Sequence, residues 1–183
     1  MESETIRQYK EQAVSCRDIF IKKNKDYGPS WRIMRIPTLI DQIYIKANRI
    51  RSIEDGKQQM IADDIPSEFK GIINYCVLTL IQMEHGATLS DNPNFDQVLI
   101  HYDNYIEKAM NLMTKKSHDY GEAWRNMYVS SYTDLILTKI LRIRSILIND
   151  GKTNVSEGID ANLFDMMNYA FFGLIKLSYH ENK

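Results

Sequence analysis

Long apolar runs, clustered cysteines and a surplus of one charge are all missing from this sequence. No stretch approaches the roughly 20 apolar residues that cross a bilayer. The start, "MESETIRQYK", is polar and charged, unlike a secretory leader. No membrane partner is expected, and the cytoplasm is the expected location. The two cysteines, Cys16 and Cys76, fall in no CxxC or Cys/His spacing. They read as small buried apolar residues in a reducing compartment. The 23 basic residues are balanced by 24 acidic ones, so no surface for bulk nucleic acid is expected. A single nucleotide asks only for a local basic cluster. His85, His101, His118 and His180 have no repeated partner. Nucleophilic catalysis by serine, cysteine or histidine is therefore unsupported, and the histidines read as surface residues. Strand-like alternation bounded by turn signals is absent too.

What the chain does contain is a repetition. "KDYGPSW" begins at Lys25, and "HDYGEAW" begins at His118, an offset of 93. Downstream, "TLIDQIYIKANRIRSI" lies against "SYTDLILTKILRIRSI", so Asp41 meets Asp134, Lys46 meets Lys139 and Arg49 meets Arg142. "INYCVLTLIQM" then lies against "MNYAFFGLIKL" at an offset of 94, and upstream "FIKKNK" faces "LMTKKSH". Two copies of one unit fill nearly the whole of the 183 residues, and tandem duplication explains them.

Each copy reads as three helices. Apolar residues at helical spacing run through 3–25, where Gly28 and Pro29 stop the first. Leu39, Ile43, Ala47, Ile50 and Ile53 share one side of 38–54, ended by Gly56. Pro66 and Ser67 open a third helix that runs to about Glu84. The second copy gives helices near 95–117, 131–149 and 159–181. The predicted fold is all-α: a six-helix bundle of two tandem three-helix repeats with pseudo-twofold symmetry. The repeats would cover 1–85 and 95–183, joined by a turn-rich linker at 86–94 and packed as one globular domain.

The repeated polar residues are the candidate site. Asp26 and Asp119 sit near the negative end of a long helix, at a cost of about 0.3–1 kcal/mol. Each needs a compensating partner, which an arginine (Arg32 or Arg125), a metal ion or a ligand would supply. At about 100° per residue, Lys46 and Lys139 fall inside the apolar arc of the second helix, with Arg49 and Arg142 beside them. A lysine there is costly unless it meets an anion. Lys-x-x-Arg on adjacent turns suits a phosphate, or equally an aspartate from another helix. Gly28 and Gly121 suit positive-φ helix caps. Trp31 and Trp124 follow in a loop, either as plugs on the core or, with Tyr27 and Tyr120, as surfaces for a base. On the third helix Asn74-Tyr75 matches Asn168-Tyr169, but the carboxylate does not match: Glu68 faces Asn162, and Gly71 faces Asp165. Asp165 and Asn168 share a face, as oxygen ligands for Mg²⁺ would, or as residues bridging helices inside the bundle. The two halves are therefore not expected to carry equivalent sites: either one half works, or one composite site draws on both.

Lys-x-x-Asp-Tyr-Gly-x-x-Trp, then Lys-x-x-Arg, then Asp-x-x-Asn-Tyr resembles the first type of nucleotide modification associated domain, in tandem. That resemblance implies a link to modified-nucleotide metabolism. The pattern also looks distantly like the all-α nucleoside triphosphate pyrophosphohydrolases of the MazG and dimeric dUTPase type. Those enzymes bind Mg²⁺ through helix-borne carboxylates and work as dimers or duplicated chains. By that likeness Asp165 matches the aspartate of a late Glu-x-x-Asp motif, with Asn162 in the glutamate position. The paired-acid Glu-Glu-x-x-Glu element is missing, and the equivalent helix carries Lys46 and Arg49 or their twins.

Two functions follow as expectations. In the first, the protein binds or processes a nucleotide or another phosphate-containing small molecule. Lys46, Arg49, Lys139 and Arg142 would hold phosphates, while Trp31, Trp124, Tyr27, Tyr120, Asn74 and Asn168 would contact the rest. Asp26, Asp119, Asp165 and Glu68 would serve a Mg²⁺ ion; turnover, if any, would be of (pyro)phosphohydrolase type. In the second, the chain is a non-catalytic interaction module whose repeated charges are internal ion pairs. A homodimer is compatible with both.

Overall fold

The computed structural model describes residues 3–61, 64–89, 92–155 and 157–180. Six α-helices carry the fold: α1 (Glu4–Tyr27), α2 (Ile36–Glu54), α3 (Ile65–His85), α4 (Phe95–Tyr120), α5 (Val129–Ile148) and α6 (Ile159–His180). No strand occurs among the described residues. One-turn 3-10 helices at Ser30–Ile33 and Ala123–Asn126 link α1 to α2 and α4 to α5. The Trp-Arg dipeptides that read as loop residues lie in these turns.

Local chemistry sets the helix ends. Ser3 Oγ accepts from the Ile6 amide, Asp64 from the Ser67 amide and Asn94 from the Asp96 amide, which caps α1, α3 and α4. Pro37 and Pro66 stand in first turns, where the missing N–H costs nothing. With Asp64 as cap, α3 starts just before the predicted Pro66. α1 and α4 run two to three residues beyond the predicted ends, because the stop is set by Gly28 and Gly121. Both adopt positive φ, 62° and 64°, which a side chain would strain. Asp26, Tyr27, Asp119 and Tyr120 therefore belong to last helical turns.

α3 and α6 lie side by side at the centre. α2 packs on α3 and α5 on α6, α2 also touches α5, and α1 and α4 each reach both α3 and α6. The approach of α3 to α6 is close: a Cβ on Gly173 would stand 2.7 Å from the Phe69 ring. The two repeats thus share one contiguous core, with Tyr9, Phe69, Tyr102, Ile136, Met166 and Phe171 among its buried side chains.

Hydrogen bonds between the repeats are exchanged in kind. Tyr9 Oη donates to Asn168 Oδ1 at 2.9 Å, and Tyr102 Oη donates to Asn74 Oδ1 at 2.7 Å. Asn168 Nδ2 donates to the Ala109 carbonyl and Asn74 Nδ2 to the Cys16 carbonyl, each at 3.1 Å. Burial pushes both tyrosine hydroxyls well above their ordinary pKa. They stay protonated, as donors must.

The 3-10 turns are anchored in both repeats by different side chains in matching places. Gln82 Nε2 donates to the carbonyls of Arg32 and Met34 at 2.9 and 2.7 Å. Lys176 Nζ donates to the carbonyls of Arg125 and Met127.

Candidate functional site

The lysines of the second helices, Lys139 buried and Lys46 half-buried, find their anions on the third helices. In the second repeat Lys139, 8% exposed, places Nζ 2.6 Å from Asp165 Oδ2. Lys116, from the last turns of α4, reaches Asp165 Oδ1 at 2.6 Å. Burial alone would raise the Asp165 pKa. The hydrogen bonds and charges of Lys116 and Lys139 outweigh it and hold the carboxyl below its ordinary value.

The first repeat solves the same problem one turn away. Gly71 stands where the aspartate would be, and the Lys46 side chain lies across it: a Cβ there would meet Lys46 Cε at 2.6 Å. Lys46 Nζ reaches Glu68 Oε2 at 3.1 Å, and Arg49 lies 3.5 Å from Glu68 Oε1. Arg49 also donates to the Ile61 carbonyl at 2.9 Å. Each repeat therefore supplies one acid to its lysine, the first Glu68 and the second Asp165.

This shift leaves Arg142 without a counterpart of Glu68. Asn162 takes that position and turns its amide to the Gly158 carbonyl at 2.8 Å. Arg142 is exposed and makes no ion pair or hydrogen bond among the described residues. It lines a polar cleft of about 680 Å³ with Asn149, Lys152, Thr153, Asn154, Asn162 and one acid, Glu157. A smaller hollow of about 130 Å³ is walled by Lys116, Tyr120, Trp124, Asp165, Tyr169 and Phe172. Asn162, Asp165, Tyr169 and Phe172 follow one face of α6 at spacings of three, seven and ten residues. The two hollows thus open along the same helix.

The remaining candidates fall elsewhere. Asp26 and Asp119 are exposed at the ends of α1 and α4, and Asp119 lies 3.2 Å from His118. Arg125 pairs instead with Glu122 at 2.6 Å, and Arg32 donates to Gln82. Tyr27 and Tyr120 are 69% and 77% exposed, and Tyr120 borders the smaller hollow. Trp31 and Trp124 are buried plugs whose indole N–H groups find no partner among the described residues. Trp124 stacks on Phe172 with centroids 4.5 Å apart, and the Arg125 guanidinium covers it at 4.4 Å. Its ring is covered by both, whereas the Tyr120 and Tyr169 rings also border the hollow. Asn74 and Asn168 commit their amide oxygens to the exchanged bonds between repeats and their amide nitrogens to carbonyls of their own repeat.

Asp26, Asp119, Asp165 and Glu68 do not gather into a three-ligand group among the described residues. Asp165 and Glu68 are held by lysine and arginine. This donor set does not fit a carboxylate-bound Mg²⁺ ion.

Sequence reasoning does not single out Lys116 as a site residue, although Lys116 and its twin Lys23 both open the repeated Lys-x-x-Asp-Tyr-Gly pattern. That recurrence was the available signal.

No curated protein and no solved structure matches this chain. A sequence profile described as nucleotide modification associated domain 1 matches residues 23–83 and again 116–177. Both matched segments contain the Asp-Tyr-Gly turn, the Lys-x-x-Arg helix and the Asn-Tyr helix just described, and the chain belongs to the nucleotide modification associated domain 1 family, carrying the domain twice.

Proposed function

We propose that this protein binds a nucleotide connected with nucleotide modification, and that the working site lies in the second repeat. One observation carries the reading: Arg142 is open to a polar cleft, whereas its twin Arg49 is neutralised by Glu68. An unpaired guanidinium with a lysine nearby suits phosphate oxygens, to which arginine offers a planar fork of donors. The base would lie along α6 toward Tyr120 and Tyr169, where flat rings are available. Asp165, Lys116 and Lys139 form the fixed wall between the two regions. The family's link to nucleotide modification supports this assignment.

Thermal-shift and calorimetric titrations with a panel of nucleotides, with and without Mg²⁺, test the proposal. Arg142→Ala is expected to abolish the response, and Arg49→Ala to leave it intact. Equal responses in the two variants would overturn the assignment.

A second reading, an interaction module, is favoured by the pairing of Lys46 with Glu68 and of Lys139 with Asp165. A flat response of the wild-type chain across the whole panel would select it.

A further inference from the structure

His85 and His101 lie at the surface as the sequence suggested, but they are not apart from one another. His85 ends α3, and His101 stands in the second turn of α4, on the far side of the linker. Their rings meet edge to face with centroids 4.8 Å apart. Glu84 joins them, with its Oε2 3.8 Å from His85 Nε2 and 3.7 Å from His101 Nδ1. All three donor atoms lie within 4.8 Å of one another. Tyr105 Oη donates to Glu84 Oε2 at 2.8 Å, fixing the carboxylate and holding it below its ordinary pKa.

We propose that Glu84, His85 and His101 form a binding site for a divalent transition-metal ion, with Zn²⁺ the best match. Imidazole nitrogens and one carboxylate oxygen are its ordinary ligands, at roughly 2.0–2.2 Å. Tetrahedral ligands at that range stand about 3.3–3.6 Å from each other. The two separations to Glu84 are within half an ångström of this, and the part-exposed rings have room to close the rest. A hollow of about 300 Å³, lined by both histidines with Trp31, Arg32 and Gln97, leaves space for a fourth ligand such as water. Tyr105 supplies the outer hydrogen bond that orients a ligating carboxylate.

The site belongs to one junction between the repeats only. The matching places on α6 and α1 hold Ser178, Tyr179 and Gln8, which offer no such set. A bound ion would clasp the end of the first repeat to the start of the second across the 86–94 linker. It owes nothing to the cleft at Arg142, so either assignment can fail without the other.

The test is calorimetric titration of the full chain with Zn²⁺ and, separately, with Mg²⁺, paired with thermal melts. One Zn²⁺ per chain is expected, with a higher melting temperature, and no response to Mg²⁺, which prefers oxygen ligands. His85→Ala combined with His101→Ala should abolish binding, while His118→Ala retains it. Tyr105→Phe should weaken Zn²⁺ about tenfold through loss of the outer bond. Far-ultraviolet circular dichroism confirms that each variant is folded. Absence of saturable Zn²⁺ binding to the wild type, or undiminished binding to the double variant, would overturn the site.

Discussion

Tyr9 and Asn168, 159 positions apart in sequence, are joined by a buried hydrogen bond of 2.9 Å, and Tyr102 returns the same bond to Asn74. Each repeat thus satisfies a polar amide that the other buries.

Removing either hydroxyl leaves a buried amide oxygen unpaired. Tyr9→Phe and Tyr102→Phe are each expected to destabilise the chain by about 1–3 kcal/mol. Urea denaturation followed by circular dichroism measures this. The two losses should add in the double variant if the bonds act independently.

Lys139 and Asp165 are both deeply buried, so deleting one partner strands the other's charge. Asp165→Ala is expected to cost about 3–5 kcal/mol. Glu68→Ala should cost less, because Lys46 and Arg49 are more exposed than Lys139. The difference in denaturation midpoint between the two variants checks this.

The Asp165 carboxyl has a lowered pKa, so its ion pairs contribute fully above the ordinary carboxylate pKa and are lost as pH falls through the lowered value. The stability difference between wild type and Asp165→Asn is expected to hold from about pH 8 to about pH 5 and to shrink below about pH 4. Denaturant titrations of both proteins at a series of pH values read it.

Moving the acid of the first repeat should open its arginine. In Glu68→Asn combined with Gly71→Asp, Lys46 meets an aspartate as Lys139 does, and Arg49 loses its carboxylate. The atoms nearest the new Cβ belong to the outer part of the flexible Lys46 side chain, which can shift. Nucleotide stoichiometry by calorimetry is expected to rise from one toward two per chain.

The cysteines offer a simple check on packing. Cys16 and Cys76 are buried and unpaired. Burial pushes the Cys16 thiol up to about 12 and that of Cys76 higher still. Because the thiolate is the reactive form, a thiol-specific chromogenic reagent should titrate neither in the native chain and both after denaturation.

The helices were legible because apolar spacing, prolines and glycines mark them locally. The predicted ends of α1 and α4 fall two to three residues short although the glycine stops are legible, because the helix runs up to the residue directly before Gly28 and Gly121. The costly placement of Lys46 and Lys139 was visible as a break in an apolar arc. Which acid answers each lysine was not, because that depends on where α3 and α6 lie against α2 and α5. Tyr9 and Tyr102 recur at the same offset as the quoted motifs, yet a tyrosine on a helical stripe gives no sign of what its hydroxyl meets. Comparing the repeats also hid Glu84, His85 and His101, a grouping found once among the described residues.

The chain has two tryptophans, one in each 3-10 turn, both buried but differently surrounded. The Trp124 indole is sandwiched by Phe172 and Arg125, while over Trp31 the Arg32 guanidinium stands farther off, at 5.5 Å. Each half therefore carries its own fluorophore with its own quenching environment. Replacing one tryptophan at a time turns the emission into a separate optical record of either repeat, and shows whether they melt together or in sequence.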